Sequence, residues 1–175
     1  MKTASRLIFS FLLCLALSLV GGCGKQDPFT YQDREYGFSF RYPEDWSINP
    51  GAASFGGHVI VAGQPDGGFA PNINIVVLPL NKDILKTTEE DVRKEYETVY
   101  RNLKIKNFTI QKLGGKESIF SHYQGTMDEE LLVEQLQFAF LHKNKTFWVT
   151  ISDSQANFEK NRNRFDSIID SFRFD

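Results

Sequence analysis

The stretch Leu131 to Leu141 constrains the fold more than any other part of the chain. On an extended strand Leu132, Leu136, Phe138 and Phe140 fall on one side, and Leu131, Val133, Ala139 and Leu141 on the other. A strand that is apolar on both faces has to be covered on both. It sits in a run of four strand-like stretches, Lys104 to Lys112, Glu117 to Thr126, Leu131 to Leu141 and Thr146 to Ser152. Gly114-Gly115, Met127 to Glu129 and Lys143-Asn144 mark the turns between them. A helix is expected from Thr88, with Asp91 three residues on as a short-acid version of the capping box. Val92, Tyr96, Val99 and Leu103 then lie on one helical stripe. A second helix is expected from about Gln155 to Ser171, capped by Ser154, with Phe158, Phe165, Ile168, Ile169 and Phe172 as its apolar side. The expected fold is therefore α/β, an α/β/α sandwich with a central, mostly antiparallel sheet and helices on both faces.

Upstream, Tyr31 opens a strand, Tyr36-Gly37 turns it, and Phe38 to Tyr42 alternates with period two. Pro43-Glu44-Asp45 makes a turn before Trp46. Further strands are expected at His58 to Ala62 and Asn72 to Leu80, the latter with Ile73, Ile75 and Val77 on one face. Gly63 to Pro71 between them reads as a loop. Residues 29–175 thus form one domain, with no internal repeat and no low-complexity segment.

The first 22 residues read as a removable leader. Lys2 and Arg6 form a basic start, and Leu7 to Val20 is a charge-free run of 14 residues. A spanning helix needs roughly 20 apolar residues and an export signal about 7–15. Leu19-Val20-Gly21-Gly22-Cys23 resembles the lipobox of bacterial lipoproteins. That resemblance implies cleavage between Gly22 and Cys23, acylation of the Cys23 thiol, and anchoring in a bilayer by two or three chains. Residues 23–28 would then be a lipidated tether. The implied location is the cell envelope, on a membrane surface facing the periplasm or the exterior. Gly24, where an Asp would favour inner-membrane retention, favours the outer membrane in a Gram-negative cell.

Cysteine usage agrees. Cys14 lies in the leader and Cys23 is the lipid site, which leaves the domain no thiol for a disulfide, a redox pair or a thiolate metal site. The formal charge is -2, and loss of Lys2 and Arg6 with the leader makes the domain more acidic still. Nucleic acid is therefore not an expected partner, because phosphate contacts need clustered Lys and Arg.

The opening Tyr31…Tyr36-Gly37-Phe38-Ser39-Phe40-Arg41-Tyr42-Pro43-Glu44-Asp45-Trp46 resembles the start of PsbP-like domains, with their Gly-Phe-x-Phe hairpin and Tyr-Pro-x-x-Trp turn. The last strand Phe147-Trp148-Val149-Thr150-Ile151 and the helix ending Ile168-Ile169-Asp170-Ser171-Phe172 are similar too. DcrB-like envelope proteins look related. The resemblance implies an α/β/α sandwich and a non-enzymatic role, as accessory subunit or assembly factor docked on a membrane protein complex. The alternative is an extracytoplasmic binding module for a small ligand or a divalent metal. Where the photosynthetic members carry an Arg-His pair in a late hairpin, this chain has Gln135-Leu136-Gln137-Phe138.

A search for chemistry yields little. His58, His122 and His142 form no HExxH or close pair. His122 and His142 lie on or beside neighbouring strands, and with Asp128 or Glu129 they are weak candidates for a surface metal; no resident metal or cofactor is expected. Asp128-Glu129-Glu130 reads as a solvated hairpin tip rather than a catalytic pair. Gly51 to Gly57 lacks the Gly-Lys-Ser/Thr ending of a phosphate loop, and no serine sits in a nucleophile elbow. Phe55 and Phe69 are aromatic rings in Gly-rich loops, from which a ring either anchors a partner or folds back over the sheet edge.

Overall fold

The computed structural model describes residues 29–49, 58–80, 84–127 and 130–175. The leader, Gly22, Cys23, Phe55, Asp128 and Glu129 lie outside those residues. Among the described residues ten strands and two α-helices follow in the order β1 (Thr30–Asp33), β2 (Phe38–Arg41), β3 (Ser47–Asn49), β4 (Val59–Ala62), β5 (Asn72–Pro79), α1 (Glu89–Tyr96), β6 (Arg101–Leu113), β7 (Lys116–Met127), β8 (Leu131–His142), β9 (Lys145–Ser154), α2 (Gln155–Ser171) and β10 (Arg173–Phe174). Strands β3 to β9 form one seven-stranded sheet in the order β3-β4-β5-β9-β8-β7-β6, antiparallel throughout.

Local chemistry explains most boundaries. Lys143 and Asn144 have φ of 47° and 56°, the left-handed pair that a two-residue hairpin with matching twist requires. Gly114 and Gly115 take the same region between β6 and β7, where glycine carries no Cβ penalty. The four strands of this meander fall where the period-two pattern puts them. Strand β8 is buried on both faces from Val133 to Phe140.

The core lies between the sheet and α2. Phe158, Phe165, Ile168 and Phe172 pack on Ile73, Ile75, Leu136, Phe138, Phe140, Phe147, Val149 and Ile151. Each buried ring contributes roughly 1.5–3 kcal/mol. Trp46 is 4% exposed, and its ring centroid stands 6.4 Å from that of Phe165.

The opening hairpin stands apart from the main sheet: β1, β2 and β10 form a separate three-stranded sheet, closed by Phe174 opposite Phe38. The short β10 has too few residues to show a period. Three expectations need correction. Helix α1 ends at Tyr96, where residues 97–99 form a turn that leads into β6, and Asn102 (φ 53°) sits in an irregularity at the start of that strand; Val99 is left 58% exposed and Leu103 belongs to a strand. Ser154 occupies the N-cap of α2 but makes no capping bond, and its Oγ is buried without a partner. The α/β/α sandwich is met in its antiparallel sheet but not as two full helical layers, since α1 is only eight residues, about two turns.

Candidate functional site

Adjacent residues of β7 show how the two sides of the sheet differ. His122 stacks on Phe158 of α2, with centroids 5.6 Å apart, while Tyr123 packs against Tyr96 of α1 at 4.6 Å. Side chains alternate across a strand, so everything in register with Tyr123 faces α1.

Strand pairing then assembles two polar rows on that side. One runs Tyr123, Gln135, Ser152, Asn72 across β7, β8, β9 and β5; the other runs Ser121, Gln137, Thr150, Asn74 across the same strands. The rows are bonded into two parallel relays. Tyr100 Oη donates to Gln135 Oε1 at 2.9 Å, and Gln135 Nε2 donates to Ser152 Oγ at 2.7 Å. Tyr96 Oη donates to Gln137 Oε1, and Gln137 Nε2 donates to Thr150 Oγ1 at 3.0 Å. Buried amides satisfied in this way are held in one orientation.

Helix α1 supplies the cover. Thr88 and Asp91 close a reciprocal capping box, with Thr88 N donating to Asp91 Oδ2 at 2.9 Å and Asp91 N to Thr88 Oγ1 at 3.2 Å. Three acids in the first turn suit the helix dipole. Val92 and Tyr96 are the buried residues of the helix. Tyr100 follows just beyond the helix, where its N–H donates to Tyr96 O at 2.8 Å. Gly125 lets that ring lie on β7: a Cβ there would stand 2.6 Å from Tyr100 Cβ.

Between the rows, α1 and the loop before β5 is a cleft of about 300 Å³. Phe69 stands in its wall, brought there by the tight turn in which Asp66 N donates to Phe69 O at 3.0 Å. Val99 and Met127 also line it. None of the described residues that line it is charged. Burial pushes the Tyr96, Tyr100 and Tyr123 hydroxyls above their ordinary range, so all three stay protonated donors at neutral pH. Asn74 Oδ1 is buried and has no hydrogen-bond partner among the described residues.

Two larger hollows are less built. One of about 630 Å³, lined by Leu78, Lys86, Lys94, Glu95 and Trp148 among others, has an open charged rim. One of about 470 Å³, by Phe29, Tyr42, Pro43 and Ile168, is flanked by exposed Arg41 and by Arg164, which pairs with Asp45 at 2.8 Å. Neither is lined by a bonded row of buried amides.

The histidines are not brought together. His122 stands opposite Leu136, six positions along β8 from His142, about 20 Å. His122 Nε2 lies 2.7 Å from Glu134 Oε1, and Lys106 Nζ meets the same oxygen at 2.5 Å. His58 pairs with Asp33 at 2.5 Å. Among the described residues no group of three His, Cys, Asp or Glu could hold a metal. Of the two loop rings, Phe69 is a half-buried wall of the cleft. The tyrosines, glutamines and asparagines of the cleft were not singled out as site residues by sequence reasoning. Their signal was the i, i+2 spacing of Asn72/Asn74, Gln135/Gln137 and Thr150/Ser152.

The PsbP family pattern matches residues 27–174. The chain belongs to the PsbP family. Among solved structures, the cyanobacterial PsbP (CyanoP) of Synechocystis shares 18% identity at a TM-score of 0.65, over 89% of this chain and 99% of that one. LpqN of Mycobacterium tuberculosis, described as involved in cell envelope biogenesis, shares 13% at a TM-score of 0.59, over 82% and 88%. At these identities the likeness is one of fold. No curated protein matches the sequence. Among the described residues no helix is long and apolar enough to cross a membrane.

Proposed function

We propose that this PsbP-family chain is a lipid-anchored, non-catalytic accessory protein of a bacterial cell envelope, and that its working part is the cleft beneath α1, used as a binding module. The carrying observation is the pair of polar rows across β7, β8, β9 and β5. A sheet face that only needs covering is filled most stably by apolar side chains, as the α2 side is. Convergent, pre-bonded polar groups beside an open volume are the usual make-up of a ligand site.

Other parts of the reading have their own support. The basic start, short apolar run and Gly21-Gly22-Cys23 support export, cleavage after Gly22 and acylation of Cys23. LpqN, an envelope-biogenesis protein of the same fold, supports the envelope. The non-catalytic reading rests on the cleft's chemistry: its titratable groups are tyrosines held protonated, which are poor general bases at neutral pH. Docking on a membrane complex fits the same placement, because anchoring raises the local concentration of even a weak binder.

The test is replacement of Gln135 and Gln137 by Leu in the chromosomal copy of the source cell. The variant is expected to be made and to stay in the membrane fraction, yet to behave like the deletion strain in an envelope-permeability assay. Full rescue of the deletion by this variant would place the function elsewhere. For the anchor, Cys23→Ala is expected to leave the washed membrane fraction, and its retention there would sink the lipid reading.

A further inference from the structure

We infer that the cleft beneath α1 takes a neutral, multiply hydroxylated ligand, a saccharide by chemical class. The inference rests on the binding-module reading and adds the chemistry of what is bound.

Three alternatives are disfavoured by the lining itself. A charged ligand would give up hydration for a wall in which none of the described residues carries a counter-charge. A wholly apolar ligand would cover Gln135, Gln137 and Asn74 and leave polar atoms stranded. A long acyl chain needs more apolar room than about 300 Å³ edged with amides provides.

A sugar ring matches what is left. Each hydroxyl both donates and accepts, and the cleft presents both functions side by side. Asn74 lines the cleft, and its Oδ1 has no hydrogen-bond partner among the described residues. The second N–H of each glutamine amide is a donor, and each tyrosine oxygen an acceptor, that the relays already hold in place, so little rotamer freedom is lost on binding. The rings of Tyr100 and Phe69, both half-buried in the wall, offer apolar surfaces for the C–H face of a pyranose.

The experiment uses the full lipidated chain in a zwitterionic detergent without a sugar headgroup. Cellobiose, maltose and N,N′-diacetylchitobiose are titrated by saturation-transfer NMR and calorimetry. Glucose is compared with glucose 6-phosphate, glucosamine and cyclohexanol. At least one neutral saccharide is expected to bind saturably. Asn74→Leu and Tyr100→Ala should each weaken it about tenfold or more, and the charged analogues should bind about tenfold more weakly than glucose. Melting temperature is measured alongside, and Asn74→Leu carries the test if Tyr100→Ala fails to fold. Absence of neutral-saccharide binding at about 10 mM overturns the inference. If a charged or apolar probe binds instead and Asn74→Leu removes it, the ligand class is wrong while the binding-module reading stands. Saccharide binding unchanged in Asn74→Leu overturns the assignment to this cleft. Loss of function in the Gln135/Gln137 double variant without any saccharide binding likewise separates a wrong ligand from a wrong site.

Discussion

On the α2 side of the sheet, Phe138 of β8 faces Val149 of β9, and Phe140 faces Phe147 with rings stacked 5.3 Å apart. On the α1 side the same two strands set Gln137 against Thr150 and Gln135 against Ser152. One backbone thus carries two surfaces of opposite character. The first derives its stability from excluding water, is non-directional, and tolerates little loss of volume. The second is held by directed bonds whose net worth is small, because water would satisfy the same groups in the unfolded chain. The difference suggests a division of labour: the α2 side stabilises the sheet, which leaves the α1 side free to present polar groups in a fixed array. The division has an exception. At one end of the α2 side Glu134, 1% exposed, is buried and paired with Lys106 and His122.

The comparison can be broken by substitution. The largest effect is expected for Trp46→Ala or Phe165→Ala, which should each cost about 3–5 kcal/mol as read from denaturant midpoints. A loss within error would show that the α2 side is not the stabilising one. Glu134→Ala should cost roughly 2 kcal/mol, because Lys106 and His122 lose a charged acceptor. Gly125→Ala should cost about 1–3 kcal/mol by forcing Tyr100 off the strand, with ligand binding impaired along with it. Tyr100→Phe removes one hydroxyl donor and should cost about 0.5–1.5 kcal/mol, less than any change on the α2 side. If it proves as damaging as Phe165→Ala, the relays are structural first.

The smallest effect concerns acid. Burial, helped by nearby Lys116, holds His142 below the ordinary histidine value of 6.5. The unfolded chain therefore takes up that proton more readily, and stability contributed by the neutral ring is present above pH 6.5 and declines as pH falls through and below it. His142→Phe should flatten the decline in melting temperature over that window. Asp33 works at lower pH. Burial alone would raise its carboxyl, but the Tyr36 N–H and His58 outweigh that and hold it below 3.8, so its contribution is lost only as pH falls through the carboxylate range.

Much of the sheet was legible because its cues are local. Lys143-Asn144 and Gly114-Gly115 announce turns by the conformations they tolerate. Leu131 to Leu141 announces a doubly covered strand by its composition. The site was not legible in the same way. Gln135 and Gln137 departed visibly from the family's late hairpin, yet polar residues at i, i+2 on a strand ordinarily mean a solvent face. Tyr96 looked like one member of a helical stripe that continued to Leu103. The turn at residues 97–99 ended that stripe, and Tyr100 became a lid over Gly125.

The sequence by itself determined the longer strands, their hairpins, both helix starts and the family, since period, turn residues and motif are properties of neighbouring positions; the short β3 and β10 carry no such signal. Only the tertiary structure decided which polar side chains meet. Asn72 and Asn74 come to Ser152 and Thr150 through the pairing of β5 with β9, strands far apart in the chain. That register is set by burying Ile73 and Ile75 with Val149 and Ile151 on the other face. The apolar side thus fixes the alignment, and the polar cleft inherits its geometry from it.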